Sequence, residues 1–250
     1  MTMTTFSWGT SCIGPAHLKN NLPNQDAWCI DHIQSVPCTV YIVADGLGSY
    51  ANSHIGSAAV KDAVIQSIDA QHTLDPGGVL GNPELLCSRI QWFWNKLLNE
   101  QNIPIETAYT TCLLLVEFEK DLLFVQVGDG LLLGINLATH SPIFKTPNTD
   151  FFSNQTHCLE ETFTPHNWHI TSIRKPATFA VMLCTDGIAD DLKSTDKTAY
   201  LLNLLAVSKT LTQEECAKMM LDELKNWPTP DHHDDKTIVF VGRWHDEEKR

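Results

Sequence analysis

Three short β-rich runs of this chain each break off at an aspartate followed by glycine. Tyr41-Ile42-Val43-Ala44 leads into Asp45-Gly46, Val125-Gln126-Val127-Gly128 into Asp129-Gly130, and Val181-Met182-Leu183-Cys184-Thr185 into Asp186-Gly187. A fourth run, Thr237 to Val241, is preceded by Asp234 and Asp235. A lone Asp-Gly pair is an ordinary turn. Aspartates repeated at the ends of apolar strands constrain the fold more, because strands of a sheet end side by side and their carboxylates then converge. Such carboxylates ionise together only when cations offset their repulsion. Hard oxygen ligands of this kind suit Mg²⁺ or Mn²⁺ rather than a soft-site metal.

The charge balance points the same way. Thirty acidic residues against 17 basic ones give a formal net charge of -13, which repels nucleic acid and leaves it an unexpected partner. An acidic protein acting on phosphorylated molecules needs cations to make the approach favourable. The 250 residues, 43% hydrophobic, suit a single domain spanning residues 1–250 with a core of its own. Eight cysteines are scattered with no C-x-x-C spacing, and several stand inside apolar runs, so they read as buried thiols. Met1 to Pro15 is polar and does not read as a signal peptide, and no apolar stretch reaches membrane-spanning length. The expectation is a cytoplasmic protein with no membrane partner.

Strand signals fall at Cys38 to Ala44, Cys112 to Phe118, Leu122 to Val127, Leu131 to Ile135, Thr178 to Cys184 and Thr237 to Val241. Helical spacing predicts helices over Ser53 to Ile68, Pro83 to Leu98, Asp196 to Val207 and Thr212 to Asn226. Strands and helices cluster rather than alternate, which favours an α+β fold. Residues 138–176, rich in Thr, Asn, Pro and His, read as a long surface insertion. Trp92 and Trp94 on the second helix read as core, His232-His233 as poor metal ligands that point to opposite faces, and His245 to Arg250 as a solvated tail.

Taken in order, these residues resemble the metal-dependent type 2C serine/threonine protein phosphatases, in particular the bacterial single-domain members. The elements are Asn24-Gln25-Asp26-Ala27, Val43-Ala44-Asp45-Gly46-Leu47-Gly48-Ser49, Thr110-Thr111, Val127-Gly128-Asp129-Gly130, Cys184-Thr185-Asp186-Gly187-Ile188-Ala189-Asp190-Asp191 and Asp234-Asp235-Lys236-Thr237. The resemblance implies a central antiparallel β-sandwich flanked by helix pairs, in four α-β-β-α layers. It implies hydrolysis of phosphoserine and phosphothreonine by direct attack of a metal-bridging water, with two or three Mn²⁺ or Mg²⁺ ions. Asp45 would bridge two metals and the Gly46 carbonyl would bind the second. Asp186 and Asp234 would complete the first site, Asp26 would hold the second metal through water, and Asp129 with Asp186 would bind a third. Residues 138–176 would form the family's flap. The partners implied are a phosphorylated protein and a cognate Ser/Thr kinase.

The chain departs from the family pattern in several places. Gln25 stands where the family often has Glu, and Leu47 stands where some members have a His. No Arg takes the family's phosphate-binding place; counting from Gly14, His17 does, with Lys19 close by. These departures keep open a catalytically weak phosphoprotein-binding module and, separately, a small-molecule phosphoesterase.

Overall fold

The computed structural model describes residues 3–75, 77–146, 157–227 and 233–245. Strand β1 (Met3–Cys12) leads through the short helix α1 (Pro15–Asn20) to β2 (Asp26–Ile33) and β3 (Cys38–Asp45). Helix α2 (Ser53–Leu74), the single turn α3 (Gly78–Gly81) and α4 (Pro83–Glu100) follow. Next come β4 (Cys112–Glu117), β5 (Asp121–Val127), β6 (Leu131–Asn136) and β7 (Ser141–Lys145), then β8 (His169–Arg174) and β9 (Phe179–Cys184). Helices α5 (Asp186–Ala189), α6 (Lys197–Ser208) and α7 (Gln213–Lys225) precede the last strand, β10 (Lys236–His245).

The strands form two antiparallel five-stranded sheets, ordered β1-β10-β9-β6-β7 and β2-β3-β4-β5-β8. Period-two alternation explains the layering. Tyr41, Val43, Leu113, Leu115 and Phe124 of one sheet meet Val181, Leu183, Val239 and Val241 of the other between the sheets. The alternate residues Val40, Ile42, Leu114 and Val116 face α2 and α4. Met182, Ile238 and Phe240 face α6 and α7 on the far side. The result is the expected α-β-β-α stack. All eight cysteines are free and buried, as their apolar settings predicted.

Two expectations change. Residues 138–176 are not irregular throughout: the stretch contains β7 and β8, one strand at the edge of each sheet. Residues 160 and 161, between those strands, are anchored beside α4, where Asn95 Nδ2 donates to the Glu161 carbonyl (3.1 Å) and Gln91 Nε2 to that of Glu160. Residues 147–156 of this stretch lie outside the described residues, as do His232 and the tail 246–250. Trp94 is fully buried, but Trp92, two residues earlier and therefore on another helical face, is exposed.

Trp94 couples the two helices of one layer, since its indole N–H donates to the Gly56 carbonyl on α2 at 2.8 Å. Trp94→Ala is expected to cost roughly 3–5 kcal/mol from the lost contacts and the cavity left behind. Urea unfolding followed by fluorescence checks this; a loss below about 1 kcal/mol would mean that α2 and α4 hold together without it.

Candidate active site

The site is built where strands of both sheets end. The β2–β3 register sets Asp26 directly opposite Asp45. Thr111 fixes the Asp45 backbone: its hydroxyl accepts the Asp45 N–H (2.9 Å) and its N–H donates to the Asp45 carbonyl (2.8 Å), which the Thr110 hydroxyl also reaches at 2.8 Å. The Gly46 N–H donates to the Gln25 carbonyl at 3.0 Å, locking the strand end onto the Asn24-Gln25-Asp26 segment. From the other sheet, β9 delivers Thr185 and Asp186. Helix α5 must start flush against the Asp235 backbone, because a Cβ on Gly187 would lie 2.1 Å from the Asp235 carbonyl oxygen. Gly128, with φ +103°, makes the turn that presents Asp129.

Five carboxylates therefore share one electrostatic environment: Asp26, Asp45, Asp129, Asp186 and Asp234. Burial pushes the Asp26 carboxyl up to about 8, helped by the charges of Asp235 and Asp186 and opposed by the hydroxyls of Thr237 and Thr185. Asp45 is raised well above the carboxylate range by burial first, then by Asp26 and Asp186. Asp186 rises to about 6 through burial and the charge of Asp129, with Asp234 and Asp190 adding to it. Asp234 is exposed, so the cluster opens to solvent on that side.

The donor set fits hard divalent cations. Asp26 Oδ2 accepts from the Thr185 hydroxyl at 2.9 Å, yet its Oδ1 is buried with no partner, and so is Asp186 Oδ1. Buried anionic oxygens without donors are costly unless a cation takes them. Their hardness selects Mg²⁺ or Mn²⁺.

His17 joins this edge from α1, and the reason was hidden in the sequence. Its Nδ1 lies 2.8 Å from Asp235 Oδ2. Asp235 is 2% exposed and also accepts the backbone N–H groups of Gly14 (2.7 Å) and Gln25 (2.6 Å). It is the buried hub that ties α1 and the β2 entry to the start of β10. Sequence reasoning singled out Asp234 and left its neighbour without a role, although the doubled aspartate was the available signal. Lys19 is exposed on α1 and is not brought to the carboxylates by any side-chain hydrogen bond among the described residues. Lys236, unmarked in the sequence, is 1% exposed and lines a cavity of about 280 Å³ with Asp186, Asp190, Asp191 and Asp234.

Known proteins give the arrangement its family. The profile of the protein phosphatase 2C family matches residues 13–227. No curated protein sequence matches significantly. Among solved structures, the serine/threonine phosphatase Stp1 from Staphylococcus aureus superposes with a TM-score of 0.65 at 18% identity, covering 95% of this chain and 94% of that one. The catalytic domain of the serine/threonine protein phosphatase PstP, in complex with two manganese ions, gives 0.63 at 16% identity, with 98% and 100% covered. RsbX in complex with magnesium gives 0.60 at 16% identity, with 97% and 96% covered. These likenesses establish a shared fold, and the profile match carries the family: the chain belongs to the protein phosphatase 2C family of metal-dependent serine/threonine phosphatases.

Proposed function

We propose that the carboxylate cluster is the catalytic centre: Asp45, Asp186 and Asp234 would hold a first divalent cation, Asp45 with Asp26 and the Gly46 carbonyl a second, and Asp129 with Asp186 a third. The observation that carries this reading is the pair of buried, partnerless oxygens on Asp26 and Asp186 amid mutually repelling carboxylates. When bound, Mn²⁺ or Mg²⁺ supplies acidified water and neutralises phosphoryl charge.

The chain's own groups then divide the remaining work. Asp235 accepts the Nδ1–H of His17, which fixes the imidazole, so that Nε2, when it also carries a proton, donates to a phosphoryl oxygen or gives that proton to the leaving alkoxide. The Thr110-Thr111 pair holds Asp45 in place. Residues 157–168 belong to the flap, which the bond from the Leu159 N–H to the Thr110 carbonyl at 2.7 Å supports. The substrate is a phosphoserine or phosphothreonine protein, and the enzyme opposes a Ser/Thr kinase. Eight free thiols suit a reducing, cytoplasmic setting, and among the described residues no helix is long and apolar enough to cross a membrane.

Hydrolysis of para-nitrophenyl phosphate and of a phosphothreonine peptide, each with Mn²⁺, Mg²⁺ or EDTA, tests this reading. Turnover of both that requires metal is expected. Activity on small phosphoesters but not on the peptide would replace the protein substrate with a small one, and no turnover by folded protein in any metal would sink the enzyme. His17→Gln is expected to lower kcat/KM on the peptide roughly ten- to a hundredfold, the worth of one hydrogen bond to a charged group. Unchanged kinetics would remove His17 from the site.

A further inference from the structure

The end of the sandwich remote from the carboxylates carries the opposite charge. A cavity of about 310 Å³ there is lined by Lys120, Arg174, Lys175 and Arg243, with Glu119 the only acid among its lining residues. In a chain of net charge -13, four cations gather around one concavity here, beside the acids Glu117, Glu119 and Asp121. The strand topology explains how they meet. Lys120 stands in the β4–β5 turn, Arg174 ends β8, where its partner across the pair is Asp121, and Arg243 lies near the end of β10 opposite Phe179. Eight residues of extended β10 separate Arg243 from Asp235, about 26 Å at roughly 3.3 Å per residue, so the cavity is no part of the catalytic cluster.

Two of the four cations are already answered and two are not. Lys175 Nζ, nearly buried, reaches Glu117 Oε1 at 3.2 Å, and Glu117 Oε2 also accepts the Tyr41 hydroxyl at 2.9 Å. Arg174 bonds Asp121 through Nη1 alone, at 3.1 Å to each oxygen, and its side chain is 76% exposed; an ion pair that exposed is easily exchanged. Lys120 makes no side-chain bond or ion pair among the described residues. Arg243 is half-buried, and its Nε is buried with no acceptor. A buried guanidinium donor without a partner is costly.

We propose that this cavity binds a small multivalent phosphate, a diphosphate group or a molecule carrying one, with Arg243 and Arg174 as fork donors and Lys120 as a mobile counter-charge. Guanidinium groups match phosphate oxygens in pairs, and the volume is that of a small-molecule site. Two guanidinium forks and an exposed lysine gathered around one small depression suit a compact multivalent anion better than an extended acidic protein surface.

The test uses full-length protein freed of metal by resin treatment, so that the catalytic end cannot recruit phosphate through a cation. Inorganic pyrophosphate and ADP are titrated at constant ionic strength, and thermal unfolding and calorimetry are read. A saturable rise in Tm with pyrophosphate is expected; a response confined to ADP would make the site one for nucleotides carrying the same diphosphate group. Arg243→Met, which keeps the apolar stem, should weaken binding tenfold or more while leaving Mn²⁺-dependent hydrolysis of para-nitrophenyl phosphate unchanged. Should that variant not fold, the exposed pair Lys120→Met and Arg174→Gln provides the same reading. The proposal is overturned by a wild type with no saturable response, by variants that bind like wild type, or by binding that is lost in Asp45→Asn instead. Protection by a polyglutamate peptide but not by pyrophosphate would overturn it in favour of an acidic protein partner.

Discussion

Asp186→Asn and Asp234→Asn are each expected to lower Mn²⁺-dependent turnover by roughly 10³-fold, about 4 kcal/mol of transition-state stabilisation. Asparagine matches aspartate in shape and keeps one oxygen, so what is lost is the charge that makes the group a ligand for a hard cation. Stability should move differently in the two variants. Asp186 is raised to about 6 by burial and by Asp129, so at pH 8 the metal-free protein carries it as an unfavourable anion with a partnerless oxygen. Neutralising it should raise the Tm of the metal-free protein. Asp234 is exposed, so its replacement should leave that Tm nearly where it was. Activity lost while metal-free stability rises or holds excludes misfolding as the cause. The measurements are steady-state kinetics at saturating Mn²⁺ beside thermal unfolding without metal. Either variant retaining more than a tenth of wild-type turnover at saturating metal would remove that residue from the centre.

What was legible in the sequence follows the sheet order closely. The predicted strands became β3, β4, β5, β6, β9 and β10, which are the interior strands of the two sheets. The strands that were missed, β1, β2, β7 and β8, are the four edges. Interior strands are covered on both faces and read as unbroken apolar runs, as Phe179 to Cys184 does. Edge strands such as Ser141-Pro142-Ile143-Phe144-Lys145 and His169-Ile170-Thr171-Ser172-Ile173-Arg174 carry proline, hydroxyls and charge, the devices that keep an unpaired edge from associating. Those devices erase the periodicity on which a strand assignment depends. The site divides in a similar way. Asp45, Asp129 and Asp186 were legible because Asp-Gly after an apolar run marks a strand end, although they converge from two sheets rather than one. Asp235 was not, because its role is to receive Gly14, His17 and Gln25 from more than 200 residues away along the chain, and no local pattern encodes such partners.

The largest solvent-dependent effect should appear when metal and protons compete for the same oxygens. Asp26 is held near 8, chiefly by burial, against 3.8 for the free group, and Asp186 near 6. A carboxyl raised on folding binds its proton more tightly in the native state than in the unfolded chain. Between about pH 4 and pH 8 the native state therefore holds more protons, and metal-free stability falls as pH rises through that window. One such group contributes a slope of about 1.4 kcal/mol per pH unit. From pH 5 to pH 7, Asp26 alone is expected to remove roughly 2 to 3 kcal/mol, or several degrees of Tm for a chain of this size. Mn²⁺ takes the place of those protons, so its affinity, and with it the stabilisation it confers, should grow with pH. Thermal unfolding at pH 5, 6, 7 and 8, with and without Mn²⁺, should give curves that lie close together at pH 5 and separate steadily towards pH 8. Asp26→Asn should flatten the metal-free curve, which isolates the contribution of this carboxyl. If the metal-free Tm is level from pH 5 to 8 and the gain from Mn²⁺ does not depend on pH, then the cluster is not held in tension by its own charge, and the cations are not what relieves it.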